Sequence, residues 1–281
     1  LIRDPHKMIH EIDNSQLSEL RLLYVDEVES NHAIFKSMFE HVGVSHDIAS
    51  SCEEAVRKSL NVQYDIIFID CFSADIDGYV AARMIRDNER AELMEPALIF
   101  ALKDKLTAVS QVKALDVGMD GVLLKPMTLK TFEALIVKWF GAAEVDVVQD
   151  DDKQGAANSV PRETLMDTAI ALSLKGVLKD KYSAMVDLFK KDIQFYVDAA
   201  YVGVTDHDVQ KVHHAMHTIK SASMQMGLVK VSKLAAQLED LSRADNATMD
   251  THLLCEIMRS QVEYIQHVYN LSEGMLEQTK S

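Results

Sequence analysis

The stretch YDIIFID, residues 64–70, decides the reading of the amino-terminal half. It is apolar from Ile66 to Ile69 and of strand length. A run without polar alternation belongs to a strand buried on both faces. It ends on Asp70, and an acid that closes a buried strand needs a purpose. Four apolar runs flank it: LRLLYV (20–25), VSHDIA (44–49), PALIFAL (96–102) and GVLL (121–124). Between the runs, residues 30–42, 52–60, 78–90, 107–117 and 128–140 carry helical periodicity. Strands alternating with helices predict a parallel sheet covered on both faces, with any ligand at the carboxyl ends of the strands.

The rhythm changes after Phe140. GAAEVDVVQDDDKQGAANSVP (141–161) combines an acidic run, small residues and a proline, and reads as an exposed linker. Beyond it no strand signal occurs. Helical periodicity covers 177–200, 206–226, 229–243 and 249–277, with breaks expected at Gly203, Gly227 and 243–248. An antiparallel helical bundle is the simplest arrangement. The expected organisation is a lead-in helix and linker at 1–20, an α/β domain at 21–140, a linker at 141–160 and an all-α domain at 161–281.

The formal net charge is −15, which argues against a general nucleic-acid binder, because phosphate backbones demand basic patches. Cys52, Cys71 and Cys255 are few, odd in number and far apart, so reduced thiols and a cytoplasmic setting are expected. No run reaches the roughly 20 apolar residues that span a bilayer, so no membrane contact is expected from this segment. The chain opens on Leu1 rather than Met, as a piece of a longer protein would.

In a parallel sheet ordered 2-1-3-4-5, three strand ends meet. Asp26 and Glu27 end the first strand, Asp70 the third and Lys125 the fifth. Crowded carboxylates repel one another and become tolerable with a divalent cation between them. Mg²⁺ suits such a pocket, since it takes hard oxygen ligands and keeps several waters. A lysine there offers positive charge to a phosphoryl group on Asp70, and positioning with charge neutralisation supplies most of the catalysis in phosphoryl transfer.

LYVDEVESN (23–31), FIDCFSADIDGY (68–79) and LLKP (123–126), in this order and spacing, resemble the response-regulator receiver domain of two-component signalling. The resemblance implies a (βα)5 flavodoxin-like fold with Asp70 as phosphoacceptor. It implies Mg²⁺ held by Glu27, Asp70 and the backbone carbonyl of Phe72, with Asp26 contacting it through water. Lys125 would bind the phosphoryl group. The chain departs from the family in three places. Ala101 stands where a Thr or Ser hydroxyl is usual, Val122 where an aromatic is usual, and Ser73-Ala74 where Met-Pro is usual. Losing one hydrogen bond to a charged oxygen costs about 1.5–3 kcal/mol. Slower phosphorylation and a weaker conformational readout are therefore expected.

The second half contains HHAMHTIKSASMQMG, with three histidines and a lysine in one helical run. At about 100° per residue from Val212, Met216, Ile219, Ser223 and Met226 fall within about 40° and form a core stripe. His217, near 140°, is expected to stand exposed, with Lys220 one turn on. Met224 and Leu228 are expected to continue that face as an exposed docking patch, and His214 to face solvent. His213 and His217 at i, i+4 lack a third ligand at zinc spacing. An imidazole is a good nucleophile at neutral pH, and HTIKSASMQMG (217–227) resembles the histidine phosphotransfer domain, whose pattern is His-x-x-Lys-Gly with a later Gly. His217, Lys220 and Gly227 match, and Ser221 replaces the first Gly. LAAQLEDLSR (234–243) fits the family's next helix.

Together these readings predict a phosphorelay protein. Asp70 takes a phosphoryl group from a histidine kinase or an upstream phosphohistidine domain, and His217 passes it to a downstream response-regulator receiver. The same chemistry also runs in reverse. No Gly-rich nucleotide loop with matching Asp and Asn residues is present, so the segment holds no ATP-binding kinase domain and reads as the tail of a hybrid sensor kinase or a free relay protein. The rival reading, motivated by Ala101 and Val122, is a pseudo-receiver that only docks a partner while His217 alone is active. An aspartate-nucleophile phosphatase would want a second acid two residues after Asp70, where Phe72 stands.

Overall fold

The computed structural model describes residues 14–70, 77–140, 165–242 and 251–280. The chain divides into two compact units. The linker expected at 141–160 lies outside the described residues, as does most of the lead-in segment apart from helix α1 (Asn14–Glu19).

The first unit is a five-stranded parallel sheet in the order β2-β1-β3-β4-β5. Its strands are β1 (Arg21–Val25), β2 (Ser45–Ala49), β3 (Ile66–Asp70), β4 (Leu98–Lys103) and β5 (Gly121–Leu124). The helices between and after them are α2 (Glu29–Val42), α3 (Cys52–Ser59), α4 (Gly78–Ala91), α5 (Ala108–Asp116) and α6 (Leu129–Phe140). β3 lies at the centre and all five of its residues are buried, as its unbroken apolar run requires. Alternation along each strand builds two different layers. Leu23, Val25, Ile67, Ile69, Ile99 and Ala101 face one way, into an aliphatic cluster with residues of α3, α4 and α5. Tyr24, Phe68 and Phe100 lie between them in sequence and join an aromatic layer with Phe35, Phe39 and Phe132.

Local chemistry sets the helix starts. Ser51 caps α3 by accepting from Glu54 N–H, Asp77 caps α4 by accepting from Tyr79 N–H, and Thr107 with Ser110 forms a capping box on α5.

The second unit is helical: α7 (Thr168–Leu178), α8 (Tyr182–Asp206), α9 (Val209–Gln225), α10 (Val229–Leu241) and α11 (Thr251–Gln278). α8 packs on α9 and α11, and α10 packs on the same two, which closes a four-helix bundle. Short connections at 207–208 and 226–228 reverse the chain between neighbours. The break expected at Gly203 is absent. α8 runs on to Asp206 and ends where His207 adopts a left-handed conformation (φ 60°). Gly203 instead permits close packing, because a Cβ there would sit 2.8 Å from Val212 Cγ2 and 3.1 Å from Asp208 O. The helix expected to start near 177 is divided by a turn at Lys179–Lys181, so α7 is a separate element. Among the described residues no helix is long and apolar enough to cross a membrane.

Candidate functional site

The carboxyl ends of β1, β3 and β5 hold the residues expected there. Asp26 directly follows β1 and is buried, and its N–H donates to Ala49 O at 3.1 Å. Asp70 closes β3 and is 9% exposed. Glu27 is half-buried. Lys125 follows β5, its N–H donating to Lys103 O at 2.8 Å, ahead of a cis peptide bond to Pro126. The Lys125 ammonium donates to Asp70 Oδ2 in a buried ion pair. Burial alone would lower the lysine's pKa. The charges of Asp70, Asp26 and Asp104 outweigh burial and hold it well above its usual range.

Phe72 lies outside the described residues. Among the described residues no group of three or more His, Cys, Asp or Glu is arranged to hold a metal ion. The donors present are nonetheless of the right chemistry. Asp26 and Asp70 are buried carboxylates at adjacent strand ends, and Mg²⁺ takes one or two carboxylates and fills its remaining positions with water and phosphoryl oxygens.

Tyr24, which the sequence reading passed over, also stands here. Its hydroxyl donates to Asp26 Oδ2 at 2.6 Å, and its fully buried ring stacks on Phe35 at 3.7 Å between centroids. Burial, then the charge of Asp26, its hydrogen bond and the charge of Asp70 push the phenol well above its ordinary pKa. The signal was available in the sequence, since residues two apart share a face of a strand.

Ala101 and Val122 are register partners on neighbouring strands. Both are buried in the aliphatic cluster, together with Tyr79. Apolar contact fills the place where the family has a hydroxyl and an aromatic ring. Tyr79 carries Lys113 Nζ at 4.1 Å and Lys103 Nζ at 5.1 Å from its ring centroid.

In the helical unit, Val212, Met216, Ile219, Ser223 and Met226 are buried as the helical pattern requires. His217 is not exposed as expected, since only 12% of its side chain is accessible. The cause is Glu239 on α10, whose Oε1 lies 3.0 Å from His217 Nδ1. Lys220 donates to the other carboxylate oxygen at 2.5 Å. Lys220 Nζ also lies 3.5 Å from His217 Nδ1. An ammonium can only donate, so Nδ1 cannot accept from Lys220 while donating to Glu239. The shorter contact assigns the proton to Nδ1, so the lone pair of the neutral ring is on Nε2. Burial would raise the Glu239 carboxyl, but the hydrogen bonds from His217 and Lys220 and the positive charge beside it bring it down to about 2.

Glu239 is the partner of His217 and Lys220 that motif reading missed. Its signal is an acid on an otherwise buried helix face with Val231, Ser232, Ala235 and Leu238. Leu228 is also not exposed as expected. Gly227 takes φ 77°, the chain turns, and Leu228 goes fully into the core with its N–H on Ser223 O. Met224 is half-buried. His214 is half-buried as well, its ring 6.2 Å from that of Tyr196, rather than facing solvent. His213 Nδ1 lies 2.9 Å from Ser242 Oγ. Gly227 serves an internal close approach, since a Cβ there would sit 2.4 Å from Asp167 O.

The family model described as the response regulator receiver domain matches residues 22–137, and that described as the Hpt domain matches residues 184–268. The chain is 24% identical over 234 residues to the aerobic respiration control sensor protein ArcB of Escherichia coli (strain K12), covering 81% of this chain and 28% of ArcB. It is 32% identical over 121 residues to hybrid signal transduction histidine kinase E of Dictyostelium discoideum, covering 42% of this chain and 7% of that protein. The chain therefore spans less than a third of the length of these relatives. Among solved structures it is similar to a chain in the co-crystal of the Saccharomyces cerevisiae histidine phosphotransfer signaling protein Ypd1 with the receiver domain of its downstream response regulator Ssk1. That match has 27% identity and a TM-score of 0.42, over 44% of this chain and 90% of that one. It is also similar to the receiver domain of sensor histidine kinase PA1611 from Pseudomonas aeruginosa PAO1, which was crystallised with magnesium coordinated in its active site cleft. Here identity is 26% and the TM-score 0.39, over 44% of this chain and 98% of that one. With a receiver match on the sheet unit and an Hpt match on the helical bundle, the chain carries a response regulator receiver domain followed by an Hpt domain, the modules of a two-component phosphorelay.

Proposed function

We propose that Asp70 and His217 are the two phosphoryl carriers of this segment. An Asp70 oxygen attacks the phosphorus of a partner's phosphohistidine, forming an O–P bond as the N–P bond breaks. Lys125, already against Asp70, follows the charge onto the phosphoryl oxygens. Mg²⁺, when bound, neutralises further charge on the phosphoryl group. Asp26, Glu27, Asp70 and the Phe72 carbonyl are its assigned holders. His217 Nε2 attacks an aspartyl phosphate, an N–P bond forms, and the Asp carboxylate leaves. The positive charge that develops on the imidazole is met by Glu239 at Nδ1, with Lys220 at the rim for the phosphoryl oxygens.

The observation that carries this reading is that each domain holds one nucleophile beside a charged side chain placed to serve it: Lys125 on Asp70 and Glu239 on His217. The same Asp70–Lys125 pair speaks against a receiver that only docks. The partners are a histidine kinase or phosphohistidine domain upstream and a receiver downstream, in the cytoplasm. The working division for separate expression is 21–140 and 161–281.

The test uses a small-molecule phosphodonor with Mg²⁺ on the wild type, Asp70→Asn and His217→Gln, read by intact mass and by acid and base lability. Base-labile phosphate should form on the wild type and on His217→Gln but not on Asp70→Asn. His217→Gln should hold its aspartyl phosphate yet fail to deliver phosphate to a partner receiver. A wild type that forms no aspartyl phosphate, or undiminished delivery by His217→Gln, would overturn the proposal.

A further inference from the structure

At the carboxyl ends of the strands, the hydroxyl of Tyr24 is a polar group that the phosphoryl chemistry above does not use. Its ring is wholly inaccessible and lies nearly parallel to Phe35, at 14° between planes, so the hydroxyl is held in one place. It reaches the carboxylate two residues on, 2.6 Å from Asp26 Oδ2, and Asp26 is itself 2% exposed with its N–H on Ala49 O. A carboxylate gripped from both its backbone and one oxygen cannot rotate freely. Partners of this kind orient metal ligands, and removing one commonly weakens metal affinity about 10- to 100-fold.

We infer that Tyr24 is a positioning residue for cation binding: its hydroxyl sets the direction in which Asp26 presents its carboxylate to a divalent cation at the Asp70 pocket. The inference rests on the proposed reading of that pocket as a Mg²⁺ site and names a residue of its support. Tyr24 does not touch the phosphoryl group. It acts through Asp26, so its loss should move the Mg²⁺ requirement more than the limiting rate.

The experiment is a Mg²⁺ titration of the full chain by calorimetry, alongside the Mg²⁺ dependence of phosphorylation by a small-molecule donor. It compares the wild type, Tyr24→Phe, Asp26→Asn and the double variant. Phe keeps the ring that stacks on Phe35, which protects the fold. Tyr24→Phe is expected to raise the dissociation constant and the half-saturating Mg²⁺ concentration about ten-fold, with a smaller drop in the rate at saturating Mg²⁺. In the Asp26→Asn background the same change should add less than two-fold, because the acceptor of the hydrogen bond has been altered. A near-UV tyrosine difference band on adding Mg²⁺ to the wild type, absent in Asp26→Asn, gives the same answer without any Tyr24 variant. Half-saturation within two-fold of wild type in Tyr24→Phe, or equal effects in both backgrounds, overturns the inference. A wild type with no saturable Mg²⁺ binding instead removes the cation reading of the pocket itself.

Discussion

Glu239 Oε1 lies 3.0 Å from His217 Nδ1, across the gap between two helices and 22 residues along the chain. This contact places the proton on Nδ1, and under the proposed function it makes Glu239 part of the phosphotransfer site. A hydrogen bond to a charged group is worth about 1.5–3 kcal/mol, which corresponds to roughly 10- to 150-fold in rate. Glu239→Ala should slow phosphoryl acceptance by His217 by that order. Glu239→Gln, which can still accept from Nδ1–H, should fall between. Rapid-quench transfer from a phosphorylated receiver measures both, and equal rates in all three proteins would remove Glu239 from the mechanism.

The same carboxylate predicts an acid limit for the bundle. Its folded pKa of about 2 lies below the ordinary glutamate value of 4.5. The unfolded chain therefore takes up this proton first as pH falls. The stability that Glu239 contributes is fully present above about 4.5 and is lost as pH drops through about 2, up to about 3 kcal/mol in all. Denaturant unfolding followed by circular dichroism between pH 5 and pH 2 should show this loss, and Glu239→Gln should flatten it.

Lys125 and Asp70 form a pair whose side chains are 6% and 11% exposed. Removing one member of a buried pair costs about 3–5 kcal/mol, because it strands the other charge. Lys125→Met should destabilise the receiver by that order and slow its phosphorylation. Lys125→Met combined with Asp70→Asn should regain much of the stability, with no regain of phosphorylation. Additive losses in urea unfolding would show that the two groups are not coupled.

Ala101 is fully buried beside Val122. Ala101→Thr returns a hydroxyl to the end of β4, whereas Ala101→Val has similar volume without it. Overpacking should cost each about 1–3 kcal/mol. Only the Thr variant should phosphorylate several-fold faster with a small-molecule donor. Matching rates for Thr and Val would show that the hydroxyl is irrelevant in this domain.

Two glycines in the bundle separate propensity from packing. Gly→Ala inside an exposed helix usually gains up to about 1 kcal/mol. Gly203→Ala should instead lose about 1–3 kcal/mol, since its Cβ meets Val212 Cγ2 at 2.8 Å. Gly227→Ala should lose more, because it combines φ 77° with a contact of 2.4 Å to backbone Asp167 O. Thermal unfolding midpoints rank the pair.

Local pattern carried much of this protein. The apolar run Ile66–Ile69 and its four companions mark the strands, because burial on both faces leaves no room for polar residues. Their alternation with helices implies a parallel sheet, and the order β2-β1-β3-β4-β5 that the fold adopts brings together the strand ends that carry Asp26, Asp70 and Lys125. The helical period around His217 likewise identifies Val212, Met216, Ile219 and Ser223 as core. Tyr24 was within reach of the same logic, being two residues from Asp26 on one strand face. Other features depend on groups distant in sequence. Gly203 reads as a helix break until Val212 is seen packed on it. Leu228 reads as surface until Gly227 turns the chain inward. His217 reads as exposed until α10 lays Glu239 against it. Periodicity reports which face of an element a residue occupies. What covers that face, and which nitrogen of an imidazole carries the proton, is decided only when the next helix packs.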